Sequence, residues 1–246
     1  MTDLRYPILV LDRQQEQQQT TATLTMSVGL PHQFKGTHMS RFVEVLAAHR
    51  GELTMRTLPA ILRELKQRLD AETARVEVSF DYFLERTAPV SGAKALMGYP
   101  CSFIGEANGS ADDFVLIVDV PVTSLCPCSK AISHYVAHNQ RANVEIQVRS
   151  ERDGEGKPRL IWIEELIDVA EQSASSPVYP VLKRSDERHV TMQAYERPVF
   201  VEDLARNVAV RLQADPRVKW FRVRALNQES IHSHNAYAVI QWARPV

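Results

Sequence analysis

The 246-residue chain is 44% apolar and 24% charged, enough for one large domain or two smaller modules with a sizeable core. Its 29 Lys and Arg against 30 Asp and Glu leave a formal net charge of -1. No global basic field draws in a nucleic-acid polymer, and an anionic partner must be bound locally. No run approaches the ~20 apolar residues of a membrane-spanning helix. Without a basic-then-apolar leader, and with three cysteines that cannot all pair, the expectation is a reduced, cytoplasmic protein.

Met1 to Gln19, with its Gln-rich run, reads as an irregular lead-in. Thr20 to Leu30 alternates threonines with apolar residues, the period-two mark of a half-buried strand. Two amphipathic helices follow, His38 to His49 and Thr57 to Leu69, with Phe42, Val45 and Leu46 on one stripe and Leu58, Ile61, Leu62, Leu65 and Leu69 on the other. Ala74 to Thr87 is strand-like. Met97 to Glu106 and Asp113 to Val122 flank Ala107-Asn108-Gly109-Ser110, a connection suited to a hairpin. The second half predicts a strand over Ala142 to Arg149, helices over Ile161 to Ser173 and Val199 to Ala214, and strands over Trp220 to Leu226 and Ala236 to Trp242. The repeated order of elements favours an α+β fold of two tandem modules, 1–123 and 124–246, each an antiparallel sheet with helices on one face.

The chemistry concentrates at Ser124-Leu125-Cys126-Pro127-Cys128-Ser129-Lys130. Proline suits a first helical turn, and a helix N-terminus favours thiolate over thiol, so either sulfur is a candidate nucleophile or metal ligand. The plainer alternative is a pair of small buried residues. The spacing is not Cys-x-x-Cys, so at most one of the pair binds a metal. His134 and His138, four apart in a stretch read as helical, are candidate ligands. His138 gains weight because thiolate, imidazole and carboxylate together make a divalent-metal site with an open position.

Carboxylates cluster at Lys183-Arg184-Ser185-Asp186-Glu187 and at Phe200-Val201-Glu202-Asp203. Clusters of this kind are ordinarily solvated faces, and the second is a helix start, where acidic residues suit the dipole without any catalytic role. Asn227 to His234 packs an acid and two histidines into a link between strands. His32, Lys35, His38 and Arg41 stand at the entrance to the first helix, a place suited to phosphate. A start capped by Thr37 or Ser40 is the alternative. No Walker-type or dinucleotide glycine pattern occurs.

Six runs in series resemble the prokaryotic GTP cyclohydrolase I family of the IB type: Gly36 to Phe42, Ser124 to Lys130, Ala137 to Arg141, Lys183 to Glu187, Phe200 to Asp203 and Glu229 to His232. Met192 and Val136 depart from the family's pattern. The resemblance implies a tunnelling fold whose subunits close a multi-subunit barrel, a homotetramer with active sites at subunit interfaces. It also implies conversion of GTP to 7,8-dihydroneopterin triphosphate and formate, the entry to tetrahydrofolate-type pterins. Carried over by motif, Cys126, His138 and Glu187 are the metal ligands, the ion being zinc, manganese or iron, which makes hydroxide available to attack C8 of the purine. Cys128, Glu229 and His232 become proton carriers, and Glu202 the anchor of the guanine edge. Lys35, His38, Arg41, Lys130, Arg141, Lys183 and Arg184 are candidates for the triphosphate. Cys101 has no role. Two further readings are a tunnelling-fold nitrile reductase with a cysteine nucleophile and NADPH, and a non-catalytic pterin- or metal-binding protein.

Overall fold

The computed structural model describes residues 1–30, 32, 36–49, 51–108 and 111–245. Its strands are β1 (Leu4–Asp12), β2 (Glu16–Val28), β3 (Thr73–Thr87), β4 (Lys94–Asn108), β5 (Ala111–Leu125), β6 (Asn139–Ser150), β7 (Ser176–Pro177), β8 (Val218–Asn227) and β9 (Ala236–Ala243). Its helices are α1 (Ser40–Ala48), α2 (Leu58–Leu69), α3 (Pro127–Ile132), α4 (Ile163–Ser173), α5 (Arg184–Glu196) and α6 (Val201–Ala214). The hydrogen-bonded strand order is β1-β2-β3-β4-β5-β6-β8-β9, with β7 on β5. No helix among the described residues is long and apolar enough to cross a membrane.

The chain forms two compact units. The first comprises Met1–Tyr82, Pro100–Ile117 and Arg149–Trp162, the second Phe83–Tyr99, Val118–Val148 and Ile163–Val246. In the first unit β2 pairs antiparallel with β1 and with β3. The expected irregular lead-in is instead strand. Ile8, Val10 and Asp12 alternate inward, and the glutamines that suggested a loop pair opposite apolar β1 residues, Gln19 against Leu9 and Gln17 against Leu11, with their own side chains exposed. Gln17 and Gln19 thus share the outer face with half-exposed Leu9 and Leu11, while Ile8 and Val10 supply the buried side, and a polar outer face of this kind mimics a loop. Asp12 closes the hairpin by accepting the backbone N–H groups of Gln14 and Gln15, both at 2.8 Å.

Helices α1 and α2 bury the stripes that their spacing predicts. Pro59 lies in the first turn of α2, and Asp70 in the left-handed region ends it. Leu58 lies against Gly105 of β4, where a Cβ would meet its Cδ2 at 2.5 Å. Phe80, Phe103 and Phe114 pack in series as tilted rings, with centroids 4.9 and 5.5 Å apart.

In the second unit α6 packs on β8 and β9 and against α4. Strands β6 and β8 each bury one phase: Gln140, Ala142, Val144, Ile146 and Val148 on β6, Phe221, Val223, Ala225 and Asn227 on β8. Helix α5 lacks the apolar stripe that advertises a helix, since its buried residues are Asp186 and Ala194, and the sequence reading did not anticipate it.

Candidate functional site

Three neighbouring strands of the second unit end their buried phases in polar residues: Ser124 on β5, Gln140 on β6 and Asn227 on β8. These residues form a polar floor. Asn227 Nδ2 donates to Ser124 Oγ at 3.1 Å, and Ser124 Oγ donates to the Val199 carbonyl at 2.8 Å. Among the described residues the buried carboxamide oxygen of Asn227 has no hydrogen-bond partner. Gln140 Nε2 donates to Glu229 Oε1 at 2.9 Å, and Gln140 Oε1 faces His138 Nδ1 at 2.8 Å.

On this floor sits a cavity of about 250 Å³ lined by Cys126, Glu202, Glu229, His232 and His234, among others. The fold thereby brings together four residues singled out from widely separated parts of the sequence: Cys126, Glu202, Glu229 and His232. Glu202 and Asp203 lie in the first turn of α6, as their position before an amphipathic run predicts. His232 and His234 stack with centroids 5.2 Å apart, so His234, left without a role on sequence, shares the cavity wall.

Cys126 precedes α3 in extended conformation, with Pro127 opening the helix. Its N–H donates to the His138 carbonyl at 3.1 Å. Ser129 braces the same corner: its hydroxyl donates to the Cys126 carbonyl at 3.1 Å and accepts the His138 N–H at 3.2 Å. Cys126 is half-buried, Cys128 exposed and Cys101 buried. The expected helix carrying both histidines does not form. Helix α3 ends at Ile132, and His134 and His138 lie in the irregular link to β6. Ile132, Tyr135 and Val136 are strongly exposed there, so no packed face supports a longer helix.

Asp186 and Glu187 are neighbours with opposite fates. Asp186 is fully buried and accepts the N–H groups of Val90, Ser91 and Lys183 at 2.7–2.8 Å and the Ser91 hydroxyl at 2.6 Å. Burial pushes its carboxyl up, but the hydrogen bonds from Ser91, Lys183 and Val90 outweigh that and hold it below the usual carboxylate range. Glu187 is exposed on the first turn of α5. Among the described residues no group of three or more His, Cys, Asp or Glu side chains is placed to hold a metal ion. Cys126 and His138 share a corner, and Glu187 is not gathered to them. The donor set of thiolate, imidazole and carboxylate still suits a borderline divalent ion.

The basic candidates are dispersed. Lys130 donates to the Tyr195 carbonyl at 2.5 Å, with its ammonium 4.2 Å from the centroid of the Tyr195 ring. Lys183 and Arg184 open α5, and Arg141 is exposed at the start of β6. His38 and Arg41 belong to the first unit. Arg41 donates to the Arg68 carbonyl at 2.7 Å, covering the end of α2, and the cap position of α1 is Met39, which makes no side-chain cap among the described residues, rather than the expected Thr37 or Ser40. Lys35 lies outside the described residues.

A family profile described as type I GTP cyclohydrolase folE2 matches residues 1–238. A protein named GTP cyclohydrolase FolE2 from Magnetococcus marinus is 52% identical over 239 residues, 97% of this chain and 88% of that protein. The protein of the same name from Syntrophotalea carbinolica is 51% identical over 240 residues, 98% of this chain and 87% of that one. Among solved structures, uricase from Arthrobacter globiformis superimposes with a TM-score of 0.58 at 10% identity, covering 99% of this chain and 92% of that one. A highly active mutant of Bacillus sp. TB-90 urate oxidase gives 0.54 at 10% identity, covering 99% and 96%. At that identity the likeness shows the fold, the α+β tunnelling fold expected from the motifs.

Proposed function

The chain belongs to the type I GTP cyclohydrolase folE2 family, an enzyme family acting on GTP, and on that premise we propose how its residues divide the work of making 7,8-dihydroneopterin triphosphate and formate for the folate pathway. The observation that carries the reading is the convergence of Cys126, Glu202, Glu229 and His232 on one cavity.

Glu202, at the open end of α6, anchors the guanine: an ionised carboxylate accepts paired hydrogen bonds from N1–H and the 2-amino group. His232, stacked on His234, and Glu229, held by Gln140, stand on the same wall and move protons as the imidazole ring of the purine opens. Cys128, exposed at the start of α3, is a third proton carrier. Cys126, His138 and Glu187 would hold a divalent ion of the zinc, manganese or iron class. Such an ion, when bound, supplies Lewis acidity and a nucleophilic oxygen near neutral pH.

One chain's cavity, about 250 Å³, falls short of the roughly 300–1,000 Å³ of ordinary ligand clefts. It suits a base rather than a whole nucleotide. That supports a site completed between subunits of a homotetramer, where Lys35, His38, Arg41, Lys130, Arg141, Lys183 and Arg184 supply the triphosphate's countercharge. The tandem modules 1–123 and 124–246 and a cytoplasmic location belong to the same proposal.

The test is formate release from GTP by metal-reconstituted protein, with the pterin detected by fluorescence after oxidation. Folded protein that bound metal and released no formate would sink the reading. Cys126→Ala should abolish turnover and weaken metal binding, whereas His134→Ala should change little. Equal loss of metal in the two variants would overturn the choice of ligands.

A further inference from the structure

We propose that Gln140 is the positioning residue that fixes which nitrogen of His138 carries the proton and, with its other arm, holds Glu229 at the cavity wall. The inference deepens the functional reading of this same site and rests on it for what His138 and Glu229 do.

Gln140 occupies the last inward position of β6 before the Cys126 corner and is 7% exposed. A buried carboxamide must satisfy two N–H donors and one oxygen acceptor, or destabilise the fold. Its orientation here is fixed by two contacts. Nε2 lies 2.9 Å from Glu229 Oε1, and an ionised carboxylate can only accept. Oε1 lies 3.4 Å from the backbone nitrogen of Ser230, which can only donate. Reversing the amide would set an N–H against an N–H and an oxygen against a carboxylate.

The amide oxygen therefore faces His138 Nδ1 at 2.8 Å, and a stable contact requires hydrogen on that nitrogen. The Ser230 hydroxyl, 3.3 Å from the same nitrogen, can accept from it too. In the neutral ring this leaves the lone pair on Nε2, the nitrogen turned away from the bracket. A histidine that ligates a metal through one nitrogen has its tautomer set by the hydrogen bond its other nitrogen makes. Gln140 thus prepares His138 to ligate through Nε2. Because the same amide grips Glu229, the orientation of the ligand and that of the proton carrier are tied through one side chain.

Two variants and three readouts test this. In metal-free protein labelled with ¹⁵N, long-range spectra should show His138 protonated on Nδ1, with Nε2 bare. Gln140→Leu should shift the ring toward the other tautomer and lower Co²⁺ affinity about 10–100-fold. Gln140→Glu keeps an acceptor facing Nδ1 while setting a carboxylate against Glu229. It should hold the tautomer and the Co²⁺ affinity within a few-fold of the parent yet lose kcat for GTP. A merely structural role predicts that both variants lose affinity together.

An unchanged tautomer and Co²⁺ affinity in Gln140→Leu would overturn the proposal. If that variant does not fold, Gln140→Glu decides alone: folded protein that has lost Co²⁺ affinity is equally fatal. Should the parent bind Co²⁺ but release no formate, the functional reading fails, while the tautomer and affinity comparisons still judge Gln140.

Discussion

Two buried carboxylates in the second unit are held by opposite means. Asp186 is surrounded by donors of the chain itself, three backbone N–H groups and a hydroxyl, and stays ionised well into acid. Glu171 on α4 is paired with the Arg86 guanidinium and accepts from the Tyr99 hydroxyl at 3.1 Å, yet burial dominates and raises its carboxyl above the usual range. Tyr99 is raised as well, by burial first and then by the Glu171 charge. Fixed dipoles built into the backbone stabilise a buried charge without desolvating a second ion, whereas an ion pair must desolvate two. The chain has placed the cheaper device where position counts, one residue before Glu187, so the anchor that seats the first turn of α5 also seats a proposed metal ligand.

The largest effect should come from breaking the ion pair. Arg86→Met leaves Glu171 buried without its countercharge and should cost about 3–5 kcal/mol in urea unfolding at neutral pH. The loss should shrink in acid, where Glu171 takes up a proton; a pH-independent loss would mean that packing, not charge, was removed. Asp186→Ala should be milder for global stability but sharper locally. Hydrogen exchange at residues 183–187 should quicken, and metal affinity fall about tenfold through the displaced Glu187. Unchanged exchange there would break the link between anchor and ligand. Tyr99→Phe should cost about 1–2 kcal/mol, read from the same urea curves.

The smallest effect is in the pH slopes, which should have opposite signs. For Asp186 the folded value lies below the unfolded one, so its stabilisation is complete above the ordinary Asp value and is lost as pH falls through the depressed folded value. For Glu171 the folded value lies above, so its contribution declines as pH rises from the ordinary Glu value through the raised one. Urea stability measured from about pH 3 to 7 in Asp186→Asn and Glu171→Gln should change slope in opposite directions. Changes of the same sign would undo the contrast.

Much of this was legible in the sequence wherever burial imposes a period. Helices α1, α2, α4 and α6 and strands β3, β6, β8 and β9 each carry an apolar repeat, and each forms within a few residues of its expected place. Elements whose burial is polar escaped. Helix α5 turns Asp186 inward and shows no apolar stripe, and β1 with the glutamine-rich start of β2 reads as an irregular lead-in, whereas the alternation from Thr20 onward does announce the rest of β2. At the site, Cys126, Glu202, Glu229 and His232 were recognisable as reactive groups in dense motifs. Gln140, Ser124 and Asn227 were not, because an amide or a hydroxyl carries no reactivity of its own. Their signal lay in phase: each continues the buried register of its strand with a polar residue, Val118-Val120-Val122-Ser124 for instance, and all three line the same cavity. The helix expected through His134 and His138 failed for the converse reason, since a spacing of four is uninformative where nothing is buried.

The meeting of Gly105 with Leu58 has a consequence for how this chain can vary. With no room for a methyl group between strand and helix, the two positions are not free to drift separately. An alanine at 105 would fit only beside a smaller residue at 58, and even then Leu62, whose Cδ1 stands 3.1 Å from the same point, would have to give way. At this contact, then, a change at either position is felt at the other, and what the strand and helix share is a clearance between two surfaces.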